Sequence, residues 1–142
     1  MIYQISVFVE NQPGRLCEIT GVLAERAIDI RAFSIADTTD FGILRLIVND
    51  PDAAVAALKA TGVTVMKTEV LAVRIEDTPG ALHAVLELLR TENVSVEYAY
   101  AFITRSHDDA YVILRTETPE VAASVLTRHG VPMLSEAEVY SV

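Results

Sequence analysis

The stretch that decides the fold occurs twice. Residues 9–16 read VENQPGRL and residues 75–82 read IEDTPGAL. In each copy an apolar run ends at an acidic residue, a polar pair and Pro-Gly follow, and an apolar pattern with helical spacing begins. This order predicts a strand, a tight turn and a helix in direct succession.

The repeat extends along the chain. Pro79 follows Pro13 by 66 residues, and Gly130 follows Gly62 by 68. The 142 residues therefore divide into two copies, which we place at residues 1–69 and 70–142. Because units of about 70 residues bury little apolar surface alone, we expect the copies to pack together and to oligomerise.

The first copy has the pattern β-α-β-β-α-β. Its elements are predicted at residues 2–9, 13–26, 30–36, 42–48, 51–61 and from 63 onward. Pro13 suits the first helical position, where the missing N–H costs nothing. Asn49-Asp50-Pro51 is a helix-start signal, and Gly62 is a candidate C-cap of the second helix.

The second copy repeats this order. Its elements are predicted at residues 71–75, 79–90, 94–103, 110–115 and 119–129, with a turn at 105–109 and a closing strand from 131–133 and 137–142. Residues 65–74 run without a clear break between the copies. Right-handed crossovers then give an α+β fold of two ferredoxin-like βαββαβ domains, with antiparallel sheets and helices on one face.

The charge excludes several partners. A net charge of −9 and a pI of about 4.7 oppose binding to nucleic acid and to anionic membranes. No apolar run approaches the roughly 18 residues of a membrane helix. The N-terminus lacks the basic and apolar regions of a signal peptide, so we expect a cytoplasmic protein.

The turns are the candidate binding sites. The first turn of a helix leaves backbone N–H groups unpaired, and its dipole favours an anion such as a ligand carboxylate. Gly14 and Gly80 allow close approach, and Asn11 or Asp77 can hold an ammonium group. The predicted ligand-binding residues are Asn11, Gln12, Pro13, Gly14, Arg15, Leu16, Asp77, Thr78, Pro79, Gly80, Ala81 and Leu82. Because the copies differ in sequence here, we expect non-equivalent sites.

Other constellations favour structural roles. Cys17 and His83 occupy matching positions early in the two helices, where we interpret the cysteine as a small packed residue rather than a reactive thiol. The histidines, among them His107 and His129, lack metal-binding spacing, so neither a metal nor a cofactor is predicted. Glu10 and Glu76 are interpreted as surface charges at strand ends rather than an acid–base pair. The alternating aromatics Tyr98, Tyr100 and Phe102 indicate interface packing more than base stacking.

The duplicated unit resembles the ACT domain over nearly the whole chain. The matching features are the strand ends (Val9, Ile75), Asn11 and Asp77, the two Pro-Gly pairs, and the leucines that open the helices (Leu16, Leu82). ACT domains are regulatory modules that bind amino acids or other small ligands, and they typically pair side by side into an eight-stranded sheet. The resemblance implies a ligand at domain or subunit interfaces next to the two first turns. The resemblance thus implies a non-enzymatic, amino-acid-binding sensor that forms homodimers or larger homo-oligomers and acts on a partner enzyme in a separate chain.

Two alternatives stay open. The chain could be a structural subunit that docks a partner enzyme through its sheet faces without a ligand. It could also be a small ferredoxin-like enzyme, although it has neither a nucleophile elbow nor a phosphate-binding or dinucleotide motif.

Overall fold

The computed structural model describes residues 1–37, 40–102 and 108–141. It divides into two compact units, an N-terminal unit of Tyr3–Thr68 and a C-terminal unit of Met1–Ile2 with Glu69–Val142. Some sequence predictions lie outside the described residues: the turn at Thr38 and Thr39, residues 103–107 with His107, and Val142.

The N-terminal unit follows the predicted order. Its elements are β1 (Ile2–Glu10), α1 (Arg15–Glu25), β2 (Ile30–Asp37), β3 (Phe41–Val48), α2 (Pro51–Lys59) and the first residues of β4 (Val65–Glu76). The strands lie in the order β2-β3-β1-β4, and β3 pairs antiparallel with β1 and β2. On the far side of β1, the backbone N–H of Phe8 donates to the carbonyl oxygen of Thr64 at 3.0 Å.

Local signals set the bounds of α2. The side chain of Asp50 accepts a hydrogen bond from the backbone N–H of Ala53 at 3.1 Å, and Pro51 occupies the first helical turn. Beyond the helix, Gly62 has a φ of 88°, which glycine adopts without steric cost. The predicted start signal is confirmed, whereas the C-cap is Ala60, two residues before the predicted Gly62.

One face of β1 faces the helices. The buried cluster of this unit includes Ile5, Val7, Val9, Ile19, Leu23 and Leu58. Burial of one such side chain is worth about 1.5–3 kcal/mol. The intervening Phe8 is 47% exposed, so it lies on the other face of β1.

The leucine that opens the apolar pattern of the first helix is not buried in either unit. Leu16 and Leu82, which open the apolar pattern, are each 41% exposed. In α1 the buried residues are Ile19 and Leu23. Thr20 is exposed, and its hydroxyl donates to the carbonyl oxygen of Leu16 at 2.8 Å, so it belongs to the solvent side.

The C-terminal unit repeats the arrangement with one difference. After β4 come α3 (Ala81–Thr91), β5 (Val96–Ala101), β6 (Asp109–Thr116) and α4 (Pro119–Arg128). The strands lie in the order β4-β6-β5, all antiparallel. The two separately predicted strands at 63 onward and 71–75 are parts of the single strand β4, which confirms the unbroken run at 65–74.

The predicted closing strand at 137–142 is wrong. A single bridge joins Met133 to Val73, and residues 136–141 form a short helix, α5 (Glu136–Ser141). The reason is an N-cap: the Ser135 hydroxyl accepts from the backbone N–H of Glu138 and donates to its carboxylate, both at 3.3 Å. Among the described residues, no helix has the length and apolarity needed to cross a bilayer.

Candidate functional site

The Pro-Gly pair forms the same tight turn in both units. Gly14 has φ 85° and ψ −8°, and Gly80 has φ 87° and ψ −8°. The backbone N–H of Arg15 donates to the carbonyl oxygen of Gln12 at 3.3 Å, which closes a turn with Pro second and Gly third. These are the features of a type II β-turn, whose third residue needs a positive φ.

This turn corrects the predicted helix starts. Pro13 and Pro79 were placed at the first helical position, but each lies in the turn before the helix. α1 begins at Arg15 and α3 at Ala81, with a left-handed glycine as N-cap. A glycine has no side chain to cap the helix, so neither helix start has a side-chain cap.

The backbone of the first helical turn is therefore open to a ligand. The first N–H bonded inside each helix belongs to Glu18 in α1, which donates to Gly14 O at 2.9 Å, and to Ala84 in α3, which donates to Gly80 O at 3.0 Å. The N–H groups of Arg15 and Ala81 already donate within the turns, to Gln12 O at 3.3 Å and to Thr78 O at 3.2 Å. The N–H groups of residues 16–17 and 82–83 are left for a ligand, at the helix end where the dipole favours negative charge.

An equivalent backbone hydrogen bond holds the end of the strand before each turn. The backbone N–H of Asn11 donates to Asp40 O, and that of Asp77 donates to Asp108 O, each at 3.0 Å. Both Asn11 and Asp77 are exposed. The two copies therefore present these side chains from the same backbone position.

A cleft of about 670 Å³ lies beside the turn of the N-terminal unit. The end of β1, the first half of α1, the start of β3 and the loop after α2 form its walls. The lining residues are Phe8, Val9, Glu10, Arg15, Glu18, Ile19, Val22, Phe41, Thr61, Gly62, Val63 and Thr64. Its size is in the usual range for small-ligand sites.

Three charged side chains meet at this cleft. The Arg15 guanidinium contacts a carboxylate oxygen of Glu10 at 3.3 Å and one of Glu18 at 3.1 Å. The hydrogen bond to Glu10, followed by that to Glu18, raises the pKa of Arg15 above its ordinary value. Arg15 therefore stays positively charged. It balances only one of the two carboxylates, so the three side chains together carry an excess of negative charge.

The C-terminal unit has a cleft of about 740 Å³ at the equivalent place. Its lining residues are Arg74, Ile75, Glu76, Thr78, Pro79, Gly80, Ala81, Ala84, Val85, Asp109, Gly130, Val131 and Pro132. The repeat relates the two linings position by position. Arg74 corresponds to Phe8 and Asp109 to Phe41, whereas Ala81 and Ala84 correspond to Arg15 and Glu18.

The structure gathers some of the predicted turn residues into the clefts. Arg15 lines the N-terminal cleft, and residues 78–81 line the C-terminal one. The lining does not include residues 11–14, Leu16, Asp77 or Leu82. Sequence reasoning missed the walls from β3 and from the loop after α2, because the fold brings them from distant parts of the chain. The repeated Gly62 and Gly130 were a signal for that loop.

The residues set aside earlier add no second site. Cys17 is exposed, so its interpretation as a packed residue is wrong. Within the described ranges, no group of three His, Cys, Asp or Glu side chains is placed to hold a metal ion. Tyr98 and Tyr100 are half-buried on β5.

The duplicated β-α-β-β-α unit with its glycine-capped first helix defines a tandem ferredoxin-like protein. A family model described as the ACT domain pair matches residues 1–142. The chain therefore belongs to the ACT domain pair family, which confirms the resemblance and the fold class. A comparison with curated proteins found no significant match.

Solved structures show the same fold. The chain is similar to protein BT0572 from Bacteroides thetaiotaomicron, with 40% identity over 99% of this chain and 96% of that chain, at a TM-score of 0.93. It shares its fold with the regulatory subunit of aspartate kinase from Thermus thermophilus, at 19% identity, 89% and 91% coverage and a TM-score of 0.64. The corresponding subunit from Thermus flavus gives 19% identity, 89% and 90% coverage and a TM-score of 0.62.

Proposed function

We propose that this protein is a non-enzymatic regulator that binds an amino acid in the clefts beside its two Pro-Gly turns. The proposal rests on one observation: in each cleft, a helix start without a side-chain cap lies beside both positively and negatively charged side chains. Each cleft has one arginine, Arg15 or Arg74, and two carboxylates in its lining. A zwitterionic ligand matches this arrangement, because its carboxylate suits the arginine and the helix start while its ammonium suits the acids.

The turn residues form the backbone part of the proposed sites. The N–H groups at the start of α1 and α3 would bind the ligand carboxylate, and Glu10 or Glu76 would bind its ammonium. Asn11 and Asp77 would contact the ligand from outside the lining. Of these two equivalent residues only Asp77, in the second copy, is acidic, so the two sites would differ in affinity.

Regulation of a separate enzyme is the second part of the proposal. Membership of the ACT domain pair family supports a regulatory role. Chains of the same fold from two Thermus species are regulatory subunits of aspartate kinase, so a chain of this size is compatible with control of a partner enzyme. Ligand binding would act by favouring one of two arrangements for which its affinity differs.

We also propose that the chain forms a homo-oligomer. Phe33 is 54% exposed and Ile35 is 46% exposed, and both lie on β2 at the end of the strand order. An edge strand with exposed apolar side chains is a surface that proteins normally cover. Sedimentation analysis of the purified chain would measure the oligomeric state.

A thermal-shift screen of the twenty amino acids tests the ligand proposal. A ligand that binds only the folded state stabilises it by about 2.7 kcal/mol at a concentration of 100 times its Kd. We expect a rise in Tm for one amino acid or a chemically related few. If none of the twenty raises the Tm at millimolar concentration, the chain is not an amino-acid sensor.

A docking subunit without a ligand is the second candidate. The exposed apolar side chains on β2 favour it, because a partner enzyme could cover them as well as a second copy does. A chain that stays monomeric in sedimentation and binds no amino acid would support this candidate over the first.

A further inference from the structure

The two clefts differ most at a pair of wall positions. In the N-terminal unit these positions hold Phe8, which is 47% exposed, and Phe41, which is 54% exposed. Phe8 pairs with Ile43 and Glu10 pairs with Phe41 in the ladder between β1 and β3. The two aromatic residues are thus diagonal neighbours on one face of the sheet, a spacing that large side chains bridge.

In the C-terminal unit the same two positions carry opposite charges. Arg74 corresponds to Phe8 and pairs with Tyr111, while Asp109 corresponds to Phe41 and pairs with Glu76. The backbone is the same, since Phe8 N donates to Thr64 O at 3.0 Å and Arg74 N donates to Pro132 O at 2.9 Å. An aromatic wall in one copy is therefore a charged wall in the other.

The charges of the N-terminal cleft lie elsewhere in its lining. Glu10, Arg15 and Glu18 form one cluster at the strand end and the helix start, with contacts of 3.3 and 3.1 Å. This cluster suits the zwitterionic head of an amino acid. Phe8 and Phe41 share the sheet face of Glu10, whose carboxylate the Arg15 guanidinium contacts at 3.3 Å. A ligand held by this ion pair therefore has the two rings beside it, and the part that covers them has to be apolar to gain from their burial.

We propose that the N-terminal cleft is selective for amino acids with a large apolar or aromatic side chain, which Phe8 and Phe41 contact. The C-terminal cleft, with Arg74 and Asp109 in place of these rings, does not share this selectivity. The inference rests on the proposed amino-acid-binding function and adds to it the ligand class and the copy that recognises it.

Titration calorimetry of the full chain with L-leucine, L-phenylalanine, L-serine and L-aspartate tests the inference. We expect leucine or phenylalanine to bind at least about tenfold more tightly than serine or aspartate, the discrimination that an apolar pocket gives. The substitutions Phe8→Ala and Phe41→Ala should each weaken that binding about tenfold or more.

A control variant separates the cleft from the rest of the surface. Phe33→Ala removes an equally exposed phenyl ring, 54% exposed, that lies outside the lining. It should change the affinity for the apolar amino acid by no more than about twofold.

The outcomes distinguish the inference from the function on which it rests. If no amino acid binds the unmodified chain, the proposed function fails and the inference fails with it. If serine or aspartate binds as tightly as leucine and phenylalanine, the inference fails while the proposed function stands. If Phe8→Ala and Phe41→Ala alter the sedimentation coefficient and leave the affinity unchanged, the rings form a subunit interface, and the inference is overturned.

Discussion

The two clefts share a backbone and differ in their side chains. Gly14 and Gly80 differ by only 2° in φ, at 85° and 87°. Yet the wall that is aromatic in one unit is charged in the other, and Arg15 in the first corresponds to Ala81 in the second. The repeat is thus close to identical where the backbone conformation is demanding and divergent where side chains are exposed.

This difference has a physical reason. A positive φ is costly for any residue with a Cβ, so the turn tolerates few replacements. An exposed side chain on a cleft wall contributes little to folding, so it can change without loss of the fold. Ligand chemistry in a duplicated protein is therefore free to diverge while the turn that supports it stays fixed.

Replacement of the turn glycines should have the largest effect on this shared backbone. We expect Gly14→Ala and Gly80→Ala each to lower the free energy of unfolding by about 1–2 kcal/mol, because alanine is strained at these φ values. Space is not the cause, since a Cβ at either position meets nothing within 4 Å. Urea denaturation followed by circular dichroism measures both changes.

Gly21 provides the matched control inside α1. It also has nothing within 4 Å of a built Cβ, but its φ lies outside the positive range. Gly21→Ala should therefore stabilise the protein by about 0.5–1 kcal/mol. Equal effects of alanine at positions 14 and 21 would show that the left-handed turn does not constrain the sequence.

The second helices of the two units differ in a smaller way, at their N-caps. The Asp50 side chain accepts from Ala53 N at 3.1 Å, whereas its counterpart Thr118 makes no side-chain cap bond. Asp50→Ala should lower the free energy of unfolding by about 1 kcal/mol, and Thr118→Ala should change it by less than half as much. A larger loss for Thr118→Ala, measured in the same urea titrations, would mean that the two caps are not distinguished by this bond.

Much of the fold was predictable because its signals are local. The duplicated Pro-Gly turn indicated the repeat, and Asp50-Pro51 marked the start of α2. Gly62 marked its end only to within two residues of the C-cap Ala60. The same reasoning failed at the C-terminus. Val139 and Tyr140 are typical of a strand, but the N-cap bond of Ser135 stabilises a helix there.

The site was less predictable because its walls are not local. The sequence indicated the turn, and of the cleft linings it identified Arg15 and residues 78–81. The aromatic wall depends on the strand register that places Phe41 opposite Glu10. The wall from the loop after α2 depends on the backbone hydrogen bond from Phe8 N to Thr64 O. Hydrophobic periodicity in a sequence predicts neither the register between two strands nor a contact between residues more than 50 positions apart.

The smallest predicted difference concerns the solvent faces of α1 and α3. Glu87 and Arg90 form a hydrogen-bonded ion pair on α3, where α1 has Gly21 and Ala24. The hydrogen bond from Arg90 lowers the pKa of the Glu87 carboxyl below its ordinary value. A lowered folded-state pKa means that the pair contributes stability above the pKa of the unfolded chain, about 4.3 for a glutamate, and that this contribution is lost as the pH falls through the folded pKa. An NMR titration of the side-chain carboxyl should therefore give Glu87 a lower pKa than it has in an Arg90→Gln variant. An unchanged pKa in that variant would show that the pair does not persist in solution.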